Sequence, residues 1–313
     1  MTAAPTIAVC TAFYPQADTI ARQYADGLSA LAGREGGIAL VAAVEQGTDL
    51  DPFLPANMSA VELYRADAQY EATPVDLRRL MLETGIKSGV DVLAFCDCDD
   101  VIAADAGDAH RSVLTDREIS FGDLDLTDAD GNAIGRRMFD GLDVPGRVED
   151  ADGLVFRNML GLSNTAVRRA FLDGNVPPLP QTLTAVDWFL FTILIDRGGK
   201  AGYAQRAVGS YRQYASNTLG AGPGRSVPDL MRRIGMARCH FAALPETDTR
   251  RRAARLLAAL AGILETAPDR VVPYLANPAV PGFWFEDVFR LAAWAEAEGL
   301  FGFDAYEDGH GKD

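Results

Sequence analysis

This sequence has few basic residues, no cysteines with zinc-site spacing and no long apolar stretches. Each of these absences argues against a class of protein. The 29 lysines and arginines are outnumbered by 44 aspartates and glutamates, which gives a formal net charge of −15. General nucleic-acid binding depends on a basic surface, so we expect no nucleic-acid partner. An anionic small molecule is still compatible with this charge, because a bound metal can reverse the local field.

The cysteines and the hydropathy pattern indicate the cellular compartment. Cys10, Cys96, Cys98 and Cys239 lack zinc-site spacing, and Cys96-x-Cys98 is too short for a redox CxxC pair. No apolar run reaches the roughly 18 residues of a membrane helix. Residues 1–5 show no basic segment followed by an apolar one, so we expect no signal peptide. We therefore expect reduced thiols and a cytoplasmic protein without an integral membrane segment.

Apolar runs alternate with helical periodicity over the first hundred residues. The pattern predicts buried, apolar strands at 6–11, 38–44 and 92–95 and a further strand at 60–64. Between them it predicts a helix at 17–31 and another that starts at Thr73-Pro74 and is closed by Gly89. Such βαβ alternation predicts a mostly parallel sheet.

The second half of the chain changes from mixed to helical structure. Residues 118–126 alternate like a strand and are followed by a turn at 127–131, which predicts a hairpin, and another strand is expected at 201–214. The glycines at 220–224 indicate a domain boundary, so we assign residues 1–222 to one domain and 223–313 to a helical region.

Helices are predicted at 227–244, 249–266 and 283–299. Arg250 to Arg252 and Arg255 make a basic run on the second of them. Such runs are usually solvated helix faces. Docking to a membrane surface or to a partner is the alternative, which would make the protein membrane-peripheral.

Three carboxylates follow the 92–95 strand: Asp97, Asp99 and Asp100. Carboxylates this close raise each other's pKa unless a cation or several donors lie among them. Mg²⁺ and Mn²⁺ take such oxygen ligands and often share them with substrate phosphates. The pattern favours a metal-diphosphate site, although a solvated loop or a helix N-cap also has this composition.

Two further acidic residues are candidates for a site. Asp187 heads an otherwise apolar helix and is either a first-turn charge or a base held against apolar walls. Glu45 follows the second strand, where ligands of α/β sheets gather. It either binds a ribose or a base, or simply begins a solvated turn.

Taken in order, these pieces resemble a family 2 glycosyltransferase. Phe-Cys-Asp-Cys-Asp-Asp-Val at 95–101 is similar to the family's Asp-x-Asp-Asp stretch. Val-Asp-Trp at 186–188 matches its acidic-Trp helix start. Tyr-Arg-Gln-Tyr-Ala-Ser-Asn-Thr at 211–218 matches its Tyr-Arg-Gln-His-x-x-Asn-Thr segment. The resemblance covers roughly residues 6–220.

This resemblance implies an α/β GT-A fold, Rossmann-like, with a mostly parallel central sheet, a small antiparallel part and a C-terminal helical extension. It implies an enzyme that uses Mn²⁺ or Mg²⁺ in an inverting transfer from a nucleotide-diphosphate sugar to a hydroxyl. The acceptor would be a glycan, a lipid-linked molecule or a small molecule. The C-terminal helices are a candidate homodimer interface.

The resemblance also assigns roles to residues. Asp97 and Asp99 would hold the metal, Asp99 directly, and Asp187 would be the catalytic base. The residues expected to bind the donor are Thr11, Ala12, Phe13, Glu45, Arg79, Asp97, Asp100, Arg212 and Tyr214.

Two positions depart from the family's pattern. Tyr214 replaces the usual histidine, and Glu-Gln-Gly at 45–47 replaces the commoner Asp-Asp-Gly or Asp-Gly-Ser. A degenerate GT-A domain that binds a nucleotide or a protein without turnover is therefore an alternative. A nucleotidyltransferase is less favoured, because residues 12–16 do not form a glycine-rich basic loop.

Overall fold

The computed structural model describes residues 6–69, 71–214, 226–276 and 286–301. They form two compact units. The first contains the sheet and most of the chain before residue 215. The second contains the C-terminal helices and two short segments from earlier in the chain, Asp152–Asn158 and Thr182–Ala185. The boundary predicted at residue 222 lies outside the described residues.

The first unit is built on one mixed sheet. Its strands are β1 (Ile7–Phe13), β2 (Ile38–Val44), β3 (Val61–Asp67), β4 (Val92–Phe95), β5 (Val101–Ile102), β6 (Ile119–Thr127), β7 (Ala133–Arg137), β8 (Arg147–Val148), β9 (Thr165–Arg168) and β10 (Ala201–Arg212). The order is β3-β2-β1-β4-β9-β6-β10-β5, with β7 paired to β6 and β8 to β10.

Strand direction explains where polar groups meet. β3, β2, β1 and β4 are parallel to one another, and β10 is parallel to β6. β9 runs antiparallel to both β4 and β6, so those two strands point the same way. The ends of β1, β4 and β6 therefore lie at one edge of the sheet. The predicted hairpin is confirmed, because β7 pairs antiparallel with β6.

Nine α-helices are found in the described residues. They are α1 (Asp18–Glu35), α2 (Pro74–Lys87), α3 (Ala106–Leu114), α4 (Arg169–Leu172), α5 (Val186–Asp196), α6 (Val227–Ala243), α7 (Asp248–Thr266), α8 (Val272–Leu275) and α9 (Glu286–Ala297). Short 3-10 turns occur at Asp51–Phe53, Met58–Ala60, Ala151–Leu154 and Pro268–Val271. None of the nine α-helices combines the length and apolar character of a membrane span.

Most predicted helices and strands are confirmed to within a few residues, and the physical signals behind them are visible. Every residue of β1, β2 and β4 is buried, as continuous apolar strands require. Thr73 caps α2 through a capping box with Asp76, and Gly89 follows the helix at a φ of 75°. Part of the helix predicted at 283–299 lies outside the described residues.

The second unit has its own core, and charged side chains are buried in it. Nη1 of Arg233 lies 3.3 Å from Oδ2 of Asp287, and both side chains are almost fully buried. Arg250 is 3% exposed and donates to the carbonyl of Pro245 at 3.0 Å. The interpretation of Arg250 to Arg252 as one solvated face is therefore wrong for Arg250, which packs inward and satisfies a backbone carbonyl.

Candidate functional site

The acidic cluster forms a tight turn directly after β4. The backbone N–H of Asp100 donates to the carbonyl of Asp97 at 3.1 Å. One carboxylate oxygen from each of Asp97, Asp99 and Asp100 lies within 4.8 Å of the others. Asp100 is only 3% exposed. The cluster is therefore an ordered, partly buried turn and not a solvated loop.

Asp97 is held by two groups. Nη2 of Arg78, on α2, lies 2.5 Å from its Oδ1. Ser163 accepts its backbone N–H at 3.1 Å. Burial raises the pKa of Asp97 to about 6; Arg78 opposes this shift, while the charges of Asp99 and Asp187 add to it. Arg78 and Ser163 were missed by the sequence analysis.

Arg212 ties the acidic turn to the rest of the sheet. Its backbone N–H donates to Oδ1 of Asp100 at 3.0 Å, and its Nε donates to the carbonyl of Asp99 at 2.9 Å. Nη1 donates to the carbonyl of Ala129 at 3.0 Å, and Nη2 donates to Gln23. The guanidinium is buried and engaged by the protein, where it holds the turn in place. Its contact with the donor stays a prediction.

Asp100 carries the clearest sign of a missing partner. Its Oδ2 is buried and has no hydrogen-bond partner in the described part of the chain. Burial raises the pKa of Asp100 well above its ordinary value, and the charges of Asp99 and Asp97 raise it further, whereas hydrogen bonds from the Ser163 side chain and the backbone of Arg212 oppose the shift. A buried carboxylate oxygen without a donor is costly, and a cation relieves that cost.

Tyr214 bonds to the acidic cluster although it stands where the family has histidine. Its hydroxyl donates to Oδ2 of Asp99. Burial raises the pKa of Tyr214, and the hydrogen bond to Asp99 raises it further. Residues 215–218 of the same motif lie outside the described residues.

Asp187 lies in the first turn of α5 and is half-buried. The helix is fixed against the strand that carries the cluster, because Phe191 packs on Phe95 with ring centroids 6.1 Å apart. The charge of Asp187 contributes to the raised pKa of Asp97, which places the two carboxyl groups in one electrostatic environment. Asp187 is therefore near enough to the acidic cluster for its charge to act on Asp97.

The predicted nucleoside loop at residues 11–13 is instead the last part of β1. Thr11, Ala12 and Phe13 are fully buried, and the hydroxyl of Thr11 is hydrogen-bonded to that of Tyr24 at 2.5 Å. Their side chains are core groups, so any contact with the donor would come from the backbone at the end of β1, and that contact stays a prediction. Tyr14, the next residue, is half-buried, and burial raises its pKa, with Cys98, Asp99 and Asp97 adding to the effect.

Arg79 and Glu45 make contacts outside the acidic cluster, and their roles in donor binding stay predictions. Nη2 of Arg79 lies 2.6 Å from Oδ1 of Asp76 within α2, and the side chain is half exposed. Glu45 closes a turn: its N–H donates to the carbonyl of Phe13 at 2.8 Å, and its carbonyl accepts from Thr48 at 3.1 Å. Glu45 thus lies at the carboxyl end of β2, and a role for its carboxylate stays a prediction.

Helix phase could have identified Arg78. Met81, Leu82 and Gly85 follow it by three, four and seven residues and are all buried, so Arg78 lies on the inner face of α2. Arg79 is turned about 100° away from that face. An arginine on an otherwise apolar helix face needs an acidic partner, and Asp97 is that partner.

The donor set fits a hard divalent cation. Carboxylate oxygens are the ligands that Mg²⁺ and Mn²⁺ prefer, and none of the described residues donates a hydrogen bond to the buried Oδ2 of Asp100. Oδ1 of Asp97 is already paired with Arg78. Asp99 and Asp100 are therefore the stronger candidates for ligation, and Asp97 the weaker one.

Comparison with solved structures places this geometry in a known fold. S. aureus TarS 1–349 in complex with UDP-GlcNAc has 11% identity and a TM-score of 0.55, over 87% of this chain and 76% of that chain. The mannosyltransferase PcManGT from Pyrobaculum calidifontis, with GDP-Man and Mn²⁺, has 16% identity and a TM-score of 0.51, over 96% and 82%. GalNAc-T7 with UDP, GalNAc and Mn²⁺ has 12% identity and a TM-score of 0.50, over 95% and 58%.

These likenesses establish the fold class. The chain has the GT-A fold, with a mostly parallel central sheet and C-terminal helices, as the sequence predicted. No protein-family model and no curated protein matches the sequence. The fold and the arrangement of the site thus carry the functional argument together.

Proposed function

We propose that this chain is a glycosyltransferase that moves a sugar from a nucleotide-diphosphate donor to an acceptor hydroxyl. The observation that carries the proposal is the acidic turn at the carboxyl end of β4, together with the first-turn acid Asp187, whose charge acts on Asp97 of that turn. Ligands of α/β sheets bind at that edge. Similar folds hold UDP-GlcNAc in TarS and GDP-Man in PcManGT, which supports a nucleotide-sugar donor here.

Asp99 and Asp100 would hold a divalent cation, Mn²⁺ or Mg²⁺, near the donor's diphosphate. Such an ion acts as a Lewis acid that neutralises the charge of a leaving diphosphate. The chain's own residues prepare the site for it. Arg212 fixes the turn, and Arg78 compensates the charge of Asp97.

Asp187 is the proposed general base. A carboxylate with its oxygens near the acceptor hydroxyl removes the proton as that oxygen attacks the anomeric carbon. Attack from the face opposite the leaving group inverts the anomeric configuration. The apolar residues behind Asp187, among them the fully buried Trp188, hold α5 in place and keep bulk water from that side of the base.

Calorimetric titration with a panel of nucleotide diphosphates and sugar nucleotides, with and without Mn²⁺, tests the proposal. Wild type is expected to bind one nucleotide in a Mn²⁺-dependent manner, and Asp99→Ala is expected to abolish that binding. Asp116→Ala is the matched control, because Asp116 is an exposed acid before β6 at the opposite edge of the sheet.

Failure of every nucleotide to bind wild type in either condition would contradict the transferase proposal. It would favour a degenerate GT-A scaffold, for which the Tyr214 replacement is the supporting observation. The identity of the acceptor and the homodimer through the C-terminal helices stay predictions from the sequence.

A further inference from the structure

Asp99 is held at two points, and each contact comes from the end of β10 or just after it. Nε of Arg212 donates to its backbone carbonyl at 2.9 Å, and the hydroxyl of Tyr214 donates to its Oδ2. Its other carboxylate oxygen, Oδ1, has no hydrogen bond from the described residues. Asp99 is thus fixed in orientation with one oxygen left for a ligand.

We propose that Tyr214 is a positioning residue for a divalent cation: its phenol O–H orients the carboxylate of Asp99 so that Oδ1 binds the ion. This inference rests on the proposed function. It assigns a role to the position at which the chain departs from the family's histidine. Tyr214 acts through Asp99 and does not itself ligate the ion.

The role proposed for Tyr214 has an entropic basis, namely the cost of ordering the carboxylate that binds the metal. A carboxylate that rotates freely loses conformational freedom when it binds an ion, whereas a carboxylate held by a donor has already lost it. A neutral O–H donor also leaves the negative charge of the carboxylate available to the cation, unlike an arginine partner. Asp97 shows the contrast, because Arg78 compensates its charge at 2.5 Å.

The buried Oδ2 of Asp100 is an independent observation that points to a cation at the same turn. It has no hydrogen-bond partner in the described chain, and it belongs to a residue that is 3% exposed. Since the oxygens of Asp99 and Asp100 come within 4.8 Å of one another, one ion can satisfy both residues.

Mn²⁺ titration followed by electron paramagnetic resonance tests the inference by measuring Mn²⁺ affinity, and it does not depend on turnover. The signal of free Mn²⁺ falls as the ion binds, which gives a dissociation constant for each variant. Loss of a group that orients a metal ligand typically weakens affinity by roughly 10- to 100-fold, and we expect that loss in Tyr214→Phe. Tyr214→His retains a donor and is expected to restore most of the affinity.

Tyr64→Phe is the matched control. The hydroxyl of Tyr64 also donates to a carboxylate, Oε1 of Glu62, at 2.6 Å, but it does so on the exposed edge strand β3. The same chemical change there is expected to leave Mn²⁺ affinity unchanged. Tyr214→Leu provides a second variant without a donor, in case Tyr214→Phe does not fold, and thermal melting verifies folding of each protein.

The outcomes separate the inference from the proposed function. If wild type binds Mn²⁺ and Tyr214→Phe binds it with equal or higher affinity, the positioning role is overturned and the transferase proposal stays intact. A higher affinity of Tyr214→Phe would mean that the phenol competes with the ion. Wild type that binds no Mn²⁺, with or without nucleotide, overturns both. A 10-fold or greater loss confined to the variants without a donor supports the inference.

Discussion

Nη2 of Arg78 lies 2.5 Å from Oδ1 of Asp97, whereas the neighbouring Arg79 is paired with Asp76 on the outer side of the same helix. Two adjacent arginines thus have different environments. Arg78 is 16% exposed and compensates an acid of the candidate site, and Arg79 is half exposed. This contrast makes them a natural pair of test variants.

Arg78→Ala is expected to weaken binding of the nucleotide donor by 10-fold or more. Removing one partner of a largely buried ion pair leaves the other charge uncompensated. This lowers the stability of the folded site by several kcal/mol, roughly 3–5 in buried cases. Arg79→Ala removes only an exposed ion pair, which contributes about 0–1 kcal/mol to stability. The affinity of this variant for the donor should therefore match that of wild type. Titration calorimetry on both variants decides the matter, and equal effects would contradict the assigned role of Arg78.

Asp187→Asn is expected to reduce turnover by about 10²-fold or more, since general bases typically contribute that much. Affinity for the donor should change little, because the base acts on the acceptor. Asp196→Asn, at the exposed far end of the same helix, is the control. Steady-state rates with the donor found by titration provide the measurement, and unchanged turnover would exclude Asp187 as the base.

Asp97 should make the metal-free protein less stable as the pH rises. Burial raises its pKa to about 6, above the value of about 3.9 in an unfolded chain, so the folded state binds this proton more tightly. The resulting stabilisation is fully present below pH of about 4 and is lost as the pH rises through about 6.

Asp97→Asn removes that titration and isolates its effect. In EDTA, the melting temperature of wild type relative to Asp97→Asn should fall between pH 5 and pH 7. Differential scanning calorimetry of both proteins across this interval gives the comparison. A difference that stays constant with pH would show that Asp97 does not titrate there.

Thr73→Ala should lower the free energy of unfolding by about 1 kcal/mol, the usual cost of losing an N-cap. The Thr73 hydroxyl accepts the N–H of Asp76 at 3.1 Å and also contacts Gln181 at 2.7 Å. Thr73→Ser keeps the oxygen and should retain most of the stability. Urea denaturation of the two variants tests this, and an equal loss in both would mean that the hydroxyl is not the stabilising group.

Local sequence signals predicted much of the fold. Continuous apolar runs defined β1, β2 and β4, because a strand covered on both faces must be apolar at every position. The Thr73-Pro74 signal located the start of α2. Both kinds of signal depend only on residues near one another in the chain, and so they can be read without a structure.

Helix α3 and the reversed strand β9 were not predicted. β9 has only four residues, Thr165–Arg168, and its direction is decided by its neighbours β4 and β6. A segment this short carries too little periodicity to reveal its pairing. The same limit hid the contact between Ser163, just before β9, and the backbone of Asp97.

The sequence by itself determined which acids could form a site: Asp97, Asp99 and Asp100 are adjacent in the chain, and Asp187 heads an apolar helix. Only the tertiary structure decided their partners. Arg78, Arg212 and Tyr214 reach the acidic turn from elements far away in the chain, through strand order and helix phase. Such long-range contacts depend on how elements pack, because the burial of apolar faces selects the neighbours that each charged group meets.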